Sequence, residues 1–135
     1  HLNFDLDIAK EKSEKNPVYY IQYAHARICT VINKADLKID NPDLKLLNQD
    51  DDIKLIYKLL DFENIVYKLK DTLEPQMLSN YLYDLAALFH KYYAHNRIIT
   101  ENMELSKARV VLIKATKIVI KNGLNILGTS APESM

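Results

Sequence analysis

The stretch "NPVYYIQYAHARICTVI", residues 16–32, holds three tyrosines and one arginine, and Tyr20, Tyr23 and Arg27 stand on the border of its apolar helical pattern. At about 100° of rotation per residue, Ile21, Ala24, Ile28, Val31 and Ile32 span an arc of roughly 20° to 120° measured from Tyr20. Tyr20, Tyr23 and Arg27 line one edge of that core-facing arc. Tyr23 and Arg27 are four apart, so the spacing predicts a guanidinium lying against a phenol ring. Two kinds of chemistry fit these residues. Boundary tyrosines bury their rings and wet their hydroxyls, and an arginine snorkels beside them. Alternatively, rings and a cation form a platform that accepts an unstacked base and its phosphate. Tyr92 and Tyr93 add aromatics elsewhere. Spacing alone supports both readings.

Other constellations carry less. His25 and Cys29 share a helix face, but two ligands do not make a metal site and no acidic cluster completes one. His90 and His95 point in different directions. The run Asp50–Asp51–Asp52 reads as an acidic first helical turn, favoured by the helix dipole. Gly123 and Gly128 come late and apart, so no phosphate-cradling loop or dinucleotide fingerprint exists. There is no Gly-x-Ser-x-Gly elbow and no carboxylate pair in an apolar setting that would raise one pKa. Nothing in the chain looks catalytic, and no metal or cofactor is expected on it.

The elements that would position the platform are helical throughout. The chain has 135 residues, with 48% hydrophobic, 27% charged, two glycines and four prolines, so long helices meet few breakers. A first short helix is predicted at about 6–14. A second opens at Asn16, a capping residue, with Pro17 at the first helical position, and runs to about Ala35. A polar connection, "DLKIDNPDLKLLNQD", follows, and its Leu44, Leu46 and Leu47 are expected to fold back onto the core. "DDIKLIYKLLDF" and "ENIVYKLKDTL" read as two shorter helices, the former with Ile53, Ile56, Leu59 and Leu60 as its apolar positions. Pro75 opens a helix that aligns Leu78, Leu82, Leu85, Leu88, Phe89 and Tyr92. The last helix is predicted over about 103–122, with Gly123 as its left-handed cap. Its run "VVLIKATKIVI" is rich in β-branched residues, but lysines three and four apart favour helix. The predicted fold is thus all-α, a bundle of about five to six helices.

Charge narrows little. The 18 basic and 18 acidic residues cancel. The chain is weakly polarised, with ten acidic and six basic residues over 36–74 and seven basic and three acidic over 91–135. One cysteine fits a reducing, cytoplasmic setting. No apolar run approaches the roughly 18 residues of a membrane span. The opening "HLNFDLDIAKEKSEK" lacks a signal-peptide layout, and without an initial methionine the chain reads as a piece of something longer.

The quoted stretch also resembles a known signature. "NPVYYIQYAHARI" is similar to the start of the C-terminal anticodon-binding domain of arginyl-tRNA synthetases. "EPQMLSNYLYDLAALFHKYY" resembles that family's next marker, and "SKARVVLIKATKIVIKNGLNILGTSAPESM" its closing helix and tail. Three markers in order cover most of the chain.

The resemblance implies a class I synthetase type of helical bundle over residues 16–135, with residues 1–15 as the connection from an upstream catalytic domain in the same polypeptide. The parent would join arginine to its tRNA using ATP and magnesium. The His-x-Gly-His and Lys-Met-Ser-Lys types of signature are absent here, so the chain alone is expected to be inactive. The resemblance further implies that Tyr20, Tyr23, Arg27, Tyr93 and Met135 meet the anticodon loop of tRNA(Arg). Asn16, Gln22 and His25 belong to the signature with a supporting role, since the last two point away from the tyrosine edge. Ser134 stands where the family often has a basic residue, and "FEN" at 62–64 lacks a common proline. The competing class is a helical module that binds another polypeptide through its tyrosines and has no RNA ligand.

Overall fold

Asn16 shows how tightly the start of the second predicted helix is set. The computed structural model describes residues 16–135. Within it the Asn16 side-chain oxygen accepts from the amides of Val18 at 3.0 Å and Tyr19 at 3.3 Å, satisfying two donors that a helix start leaves open. Helix α1 (Pro17–Ala35) follows, and Asp36 ends it in a left-handed conformation at φ 45°. The helix predicted at about 6–14 lies outside the described residues.

A 3-10 turn at Leu44–Leu46 interrupts the polar connection. Leu47 is buried and Leu46 half-buried, but Leu44, expected on the core, is 50% exposed. Then come α2 (Asp50–Leu60), α3 (Phe62–Thr72), α4 (Pro75–His95) and α5 (Met103–Ile126). Only Asp61 separates α2 from α3. Counted as one bent rod, the pair leaves four units among the described residues, slightly below the expected five to six. "VVLIKATKIVI" is helical, and no strand occurs among the described residues.

The helices α1, α4 and α5 pack on one another, and α2 and α3 lean on α4. Their shared core holds Ile21, Ala24 and Ile28 from α1, Leu78, Leu82, Leu85 and Phe89 from α4, and Ile113, Ile120 and Leu124 from α5, all fully buried. Each large aliphatic or aromatic side chain so buried contributes about 1.5–3 kcal/mol before entropy is counted. That core fixes the relative placement of α1 and α4, the two helices that carry the candidate site.

Two expectations are corrected. The inward stripe of α2 is Asp52, Leu55, Ile56 and Leu59, spaced i, i+3, i+4 and i+7, whereas Ile53 and Leu60 face out with Tyr57. The polar Asp52 belongs to the stripe because Tyr92 donates to it from α4 at 2.7 Å, and the Gln49 amide also donates to it at 3.1 Å. In α5, Gly123 is not a cap. The helix continues to Ile126, and the left-handed glycine is Gly128 at φ 76°. Gly123 is where α5 meets α4: a Cβ there would lie 2.5 Å from Leu82 Cδ2, and Leu82 is itself fully buried. Beyond it, Leu124 is buried and Leu127 half-buried, while Ile126 is 48% exposed.

Candidate functional site

Helix α1 is covered differently along two edges. Along one, Tyr20, Tyr23 and Arg27 meet α4. The Tyr20 ring packs on Tyr83 at 4.7 Å between centroids and on His90 at 5.2 Å. The Tyr23 ring lies 5.8 Å from His90 and keeps 42% of its surface exposed. Tyr20 and Arg27 are half-buried. The Arg27 guanidinium does not lie on Tyr23 as the spacing predicted. It stacks 4.5 Å above the Tyr93 ring of α4, and its Nη1 donates to His90 Nδ1 at 3.4 Å. A ring on the neighbouring helix offers a flat face, and the imidazole adds an acceptor; Tyr23, one turn back on the same helix, offers only the first.

His90 is the hub. It also touches Phe89, whose ring stacks on Tyr93 at 6.0 Å and 18° between planes. Ring contact therefore runs from Tyr83 through Tyr20, His90 and Phe89 to Tyr93 and Arg27. Because arginine can only donate, Nδ1 accepts, and the neutral ring carries its proton on Nε2. Burial, with the Arg27 charge second, pushes the imidazole down to about 4 from its ordinary value. Nε2 is buried without a partner among the described residues, a cost of about 1–3 kcal/mol that the surrounding ring packing must offset. His90 and Tyr83 were not among the sequence-derived site residues. A usable signal existed: they are seven apart on α4, with Tyr93 three beyond, which places all three on one side of that helix.

Along the other edge, the C-terminal tail lies on α1. Gln22 Nε2 donates to the Ser130 carbonyl at 2.9 Å, and His25 Nδ1 donates to the Pro132 carbonyl at 2.8 Å. His25 is buried, which is the main reason its pKa falls. Cys29 Sγ lies 3.8 Å from the same nitrogen, and burial pushes its thiol up. Gln22 and His25 thus hold the tail on α1. Among the described residues no group of three or more His, Cys, Asp or Glu gathers as metal ligands do.

Of the residues singled out from sequence, Tyr20, Tyr23, Arg27 and Tyr93 come together. Gln22 and His25 fasten the tail, and Asn16 caps the helix. Met135, 51% exposed, ends that tail three residues past the anchored Pro132; no ring contact or hydrogen bond joins it to the tyrosine edge among the described residues. The assembled edge has no acid–base couple. It offers rigid rings and one guanidinium, groups of the kind on which an unpaired base can stack at about 1–3 kcal/mol.

Comparison with known proteins gives a consistent picture. The family described as "DALR anticodon binding domain" matches residues 21–135. An arginine–tRNA ligase from Salinibacter ruber is 49% identical over 139 aligned residues, covering 100% of this chain and 25% of that protein. A solved Campylobacter jejuni structure described as an arginyl tRNA synthetase superposes with a TM-score of 0.83 at 35% identity, covering 100% of this chain and 30% of that one. Thermus thermophilus arginyl-tRNA synthetase superposes with a TM-score of 0.79 at 33% identity over 86% of this chain and 21% of its own. The chain spans about a quarter of the length of the curated relatives it matches. With that match over most of its length and the same helical fold, the chain belongs to the DALR anticodon-binding domain family.

Proposed function

We propose that this domain receives the anticodon loop of tRNA(Arg) as the C-terminal part of an arginine–tRNA ligase. The observation that carries the reading is the exposed Tyr23 ring beside an arginine already held flat on Tyr93. Anticodon bases are unpaired and can be splayed onto such rings. Tyr20 supports Tyr23 through their shared contact with His90, and Arg27 answers a phosphate or a base edge. Met135 reaches the loop bases from a tail whose course Gln22 and His25 fix. Family membership does not favour the alternative of a tyrosine-rich protein-interaction module.

The parent enzyme joins arginine to tRNA in the cytoplasm with ATP and magnesium, in a catalytic domain to which residues 1–15 connect. The sequence holds no glycine-rich phosphate loop of its own, since its two glycines are Gly123, packed against Leu82, and Gly128. This chain alone should give no arginine-dependent ATP–pyrophosphate exchange.

The test is binding of an arginine-tRNA anticodon stem-loop. Tyr23→Ala should weaken it by about 1–3 kcal/mol while leaving the helical circular-dichroism signal intact. Arg27→Ala should weaken it as well, and wild-type binding should fall with added salt through counterion release. Unchanged affinity in both variants would overturn the platform.

A further inference from the structure

Beyond Tyr93 the bundle surface opens into a groove of about 650 Å3, between the last turn of α1, the last turn of α4 and the loop that follows it. A volume of that size holds a small planar ligand. Val31 and Ile99 are apolar wall residues, and the charged side chains in the lining, Lys34 and Arg97, are both cations. Neither takes part in a salt bridge among the described residues. Two helix C-termini converge here, each equivalent to about half a negative charge, so the lining cations outweigh them. Tyr93 belongs to both places. Its ring carries the Arg27 guanidinium, and the same residue lines the groove.

A strand whose base rests at Tyr23 and whose phosphate meets Arg27 thus finds, on the far side of Tyr93, an apolar slot flanked by two cations. We propose that this groove takes the neighbouring unpaired nucleotide of the same RNA strand, its base against Ile99 and Val31 and its phosphate at Lys34 and Arg97. The proposal rests on the anticodon-loop reading above. Charge complementarity and continuity with the ring platform favour single-stranded RNA over an apolar peptide, which would leave both cations unanswered.

The experiment is a set of double-mutant cycles on the full 135-residue chain, read as dissociation constants for a fluorescently labelled anticodon stem-loop. One partner of each cycle is Tyr23→Ala, Ile99→Ala or Arg97→Gln; the other is an abasic substitution at each loop position in turn. All three side chains are exposed, so the fold should survive. Ile99→Ala should weaken binding roughly threefold to tenfold. Its effect should vanish only when the loop lacks the base next to the one coupled to Tyr23→Ala. Arg97→Gln and Lys34→Gln should each lower the salt slope by about 1. If Tyr23→Ala weakens binding while the groove variants bind as wild type, the groove is not used and the platform stands. Coupling of Ile99→Ala to no base, or to a distant one, likewise overturns the proposal. If Tyr23→Ala has no effect either, the underlying reading falls first.

Discussion

Tyr92 and Tyr93 are neighbours in the chain and opposites in the fold. Tyr92 is 2% exposed, and its hydroxyl donates to Asp52. Burial first, then the Asp52 bond and charge, raise that phenol above its ordinary value. Tyr81, about three turns earlier on the same face of α4, is built the same way: it is buried, and its hydroxyl donates to the Lys58 carbonyl of α2. Both use ring and hydroxyl together to pin α2 onto α4. Tyr93 and Tyr23 sit at the boundary, and the contacts that place them are ring contacts with Arg27, Phe89 and His90. What separates the two sets is whether the hydroxyl is committed to a buried partner. A committed tyrosine is structure; a boundary tyrosine keeps a π-face and a wet hydroxyl for something else.

The largest test of this division is to remove the committed partner. Tyr92→Ala should cost about 3–5 kcal/mol in urea unfolding, through both the cavity and the orphaned Asp52 carboxylate. Stem-loop affinity of the protein that remains folded should stay near wild type. A large loss of affinity at preserved stability would erase the distinction.

A smaller effect sharpens the boundary side. His90 is held near 4, below the ordinary 6.5, by burial and by Arg27. Between those values the unfolded chain takes up a proton that the folded one refuses. Stability from this group is therefore complete above about pH 7.5 and drains as pH falls toward 4, by about 1–2 kcal/mol between pH 7 and 5. His90→Gln keeps an acceptor for Arg27 and removes the titration, so its urea midpoint should vary less over that range than wild type. His25, also lowered by burial, contributes in the same direction and should remain in the variant. An unaltered pH dependence would mean that His90 is not buried neutral in solution.

The smallest effect comes from Tyr93→Phe. The ring carries the contacts with Arg27 and Phe89, so stability should change by no more than about 0.5 kcal/mol. The same hydroxyl deletion at Tyr92 should cost about 1–3 kcal/mol, because it strands a buried acceptor. Equal costs at the two positions would mean that the neighbours are not divided as described.

Much of the fold is legible along the chain because its signals are local. The Asn16–Pro17 start, the Pro75 start and the lysine spacing of α5 each act within a turn or two. The core face of α4 follows from apolar periodicity, and Leu78, Leu82, Leu85, Phe89 and Tyr92 are all buried. The tyrosine edge of α1 is legible for the same reason. Where a residue's surroundings lie far along the chain, local reading fails. Gly123 has the right position for a helix cap, but its constraint is Leu82 across the α4–α5 contact. Asp52 looks like surface acid because its partner, Tyr92, is on another helix.

By itself, the sequence determined that residues 16–135 are largely helical, which stripe of α1 and of α4 goes inward, and that Tyr20, Tyr23 and Arg27 share one edge of α1. Those are consequences of backbone geometry and of short-range hydrogen bonding. Only the tertiary structure decided what each edge meets. Packing α4 beside α1 moved Arg27 from Tyr23 to Tyr93, made His90 the common contact of the rings, and opened a cationic groove beyond them. The tail, returning to Gln22 and His25, closed the opposite edge. Side-chain direction is a local property; the choice of partner depends on which distant surface arrives there, and that is settled only when the core closes.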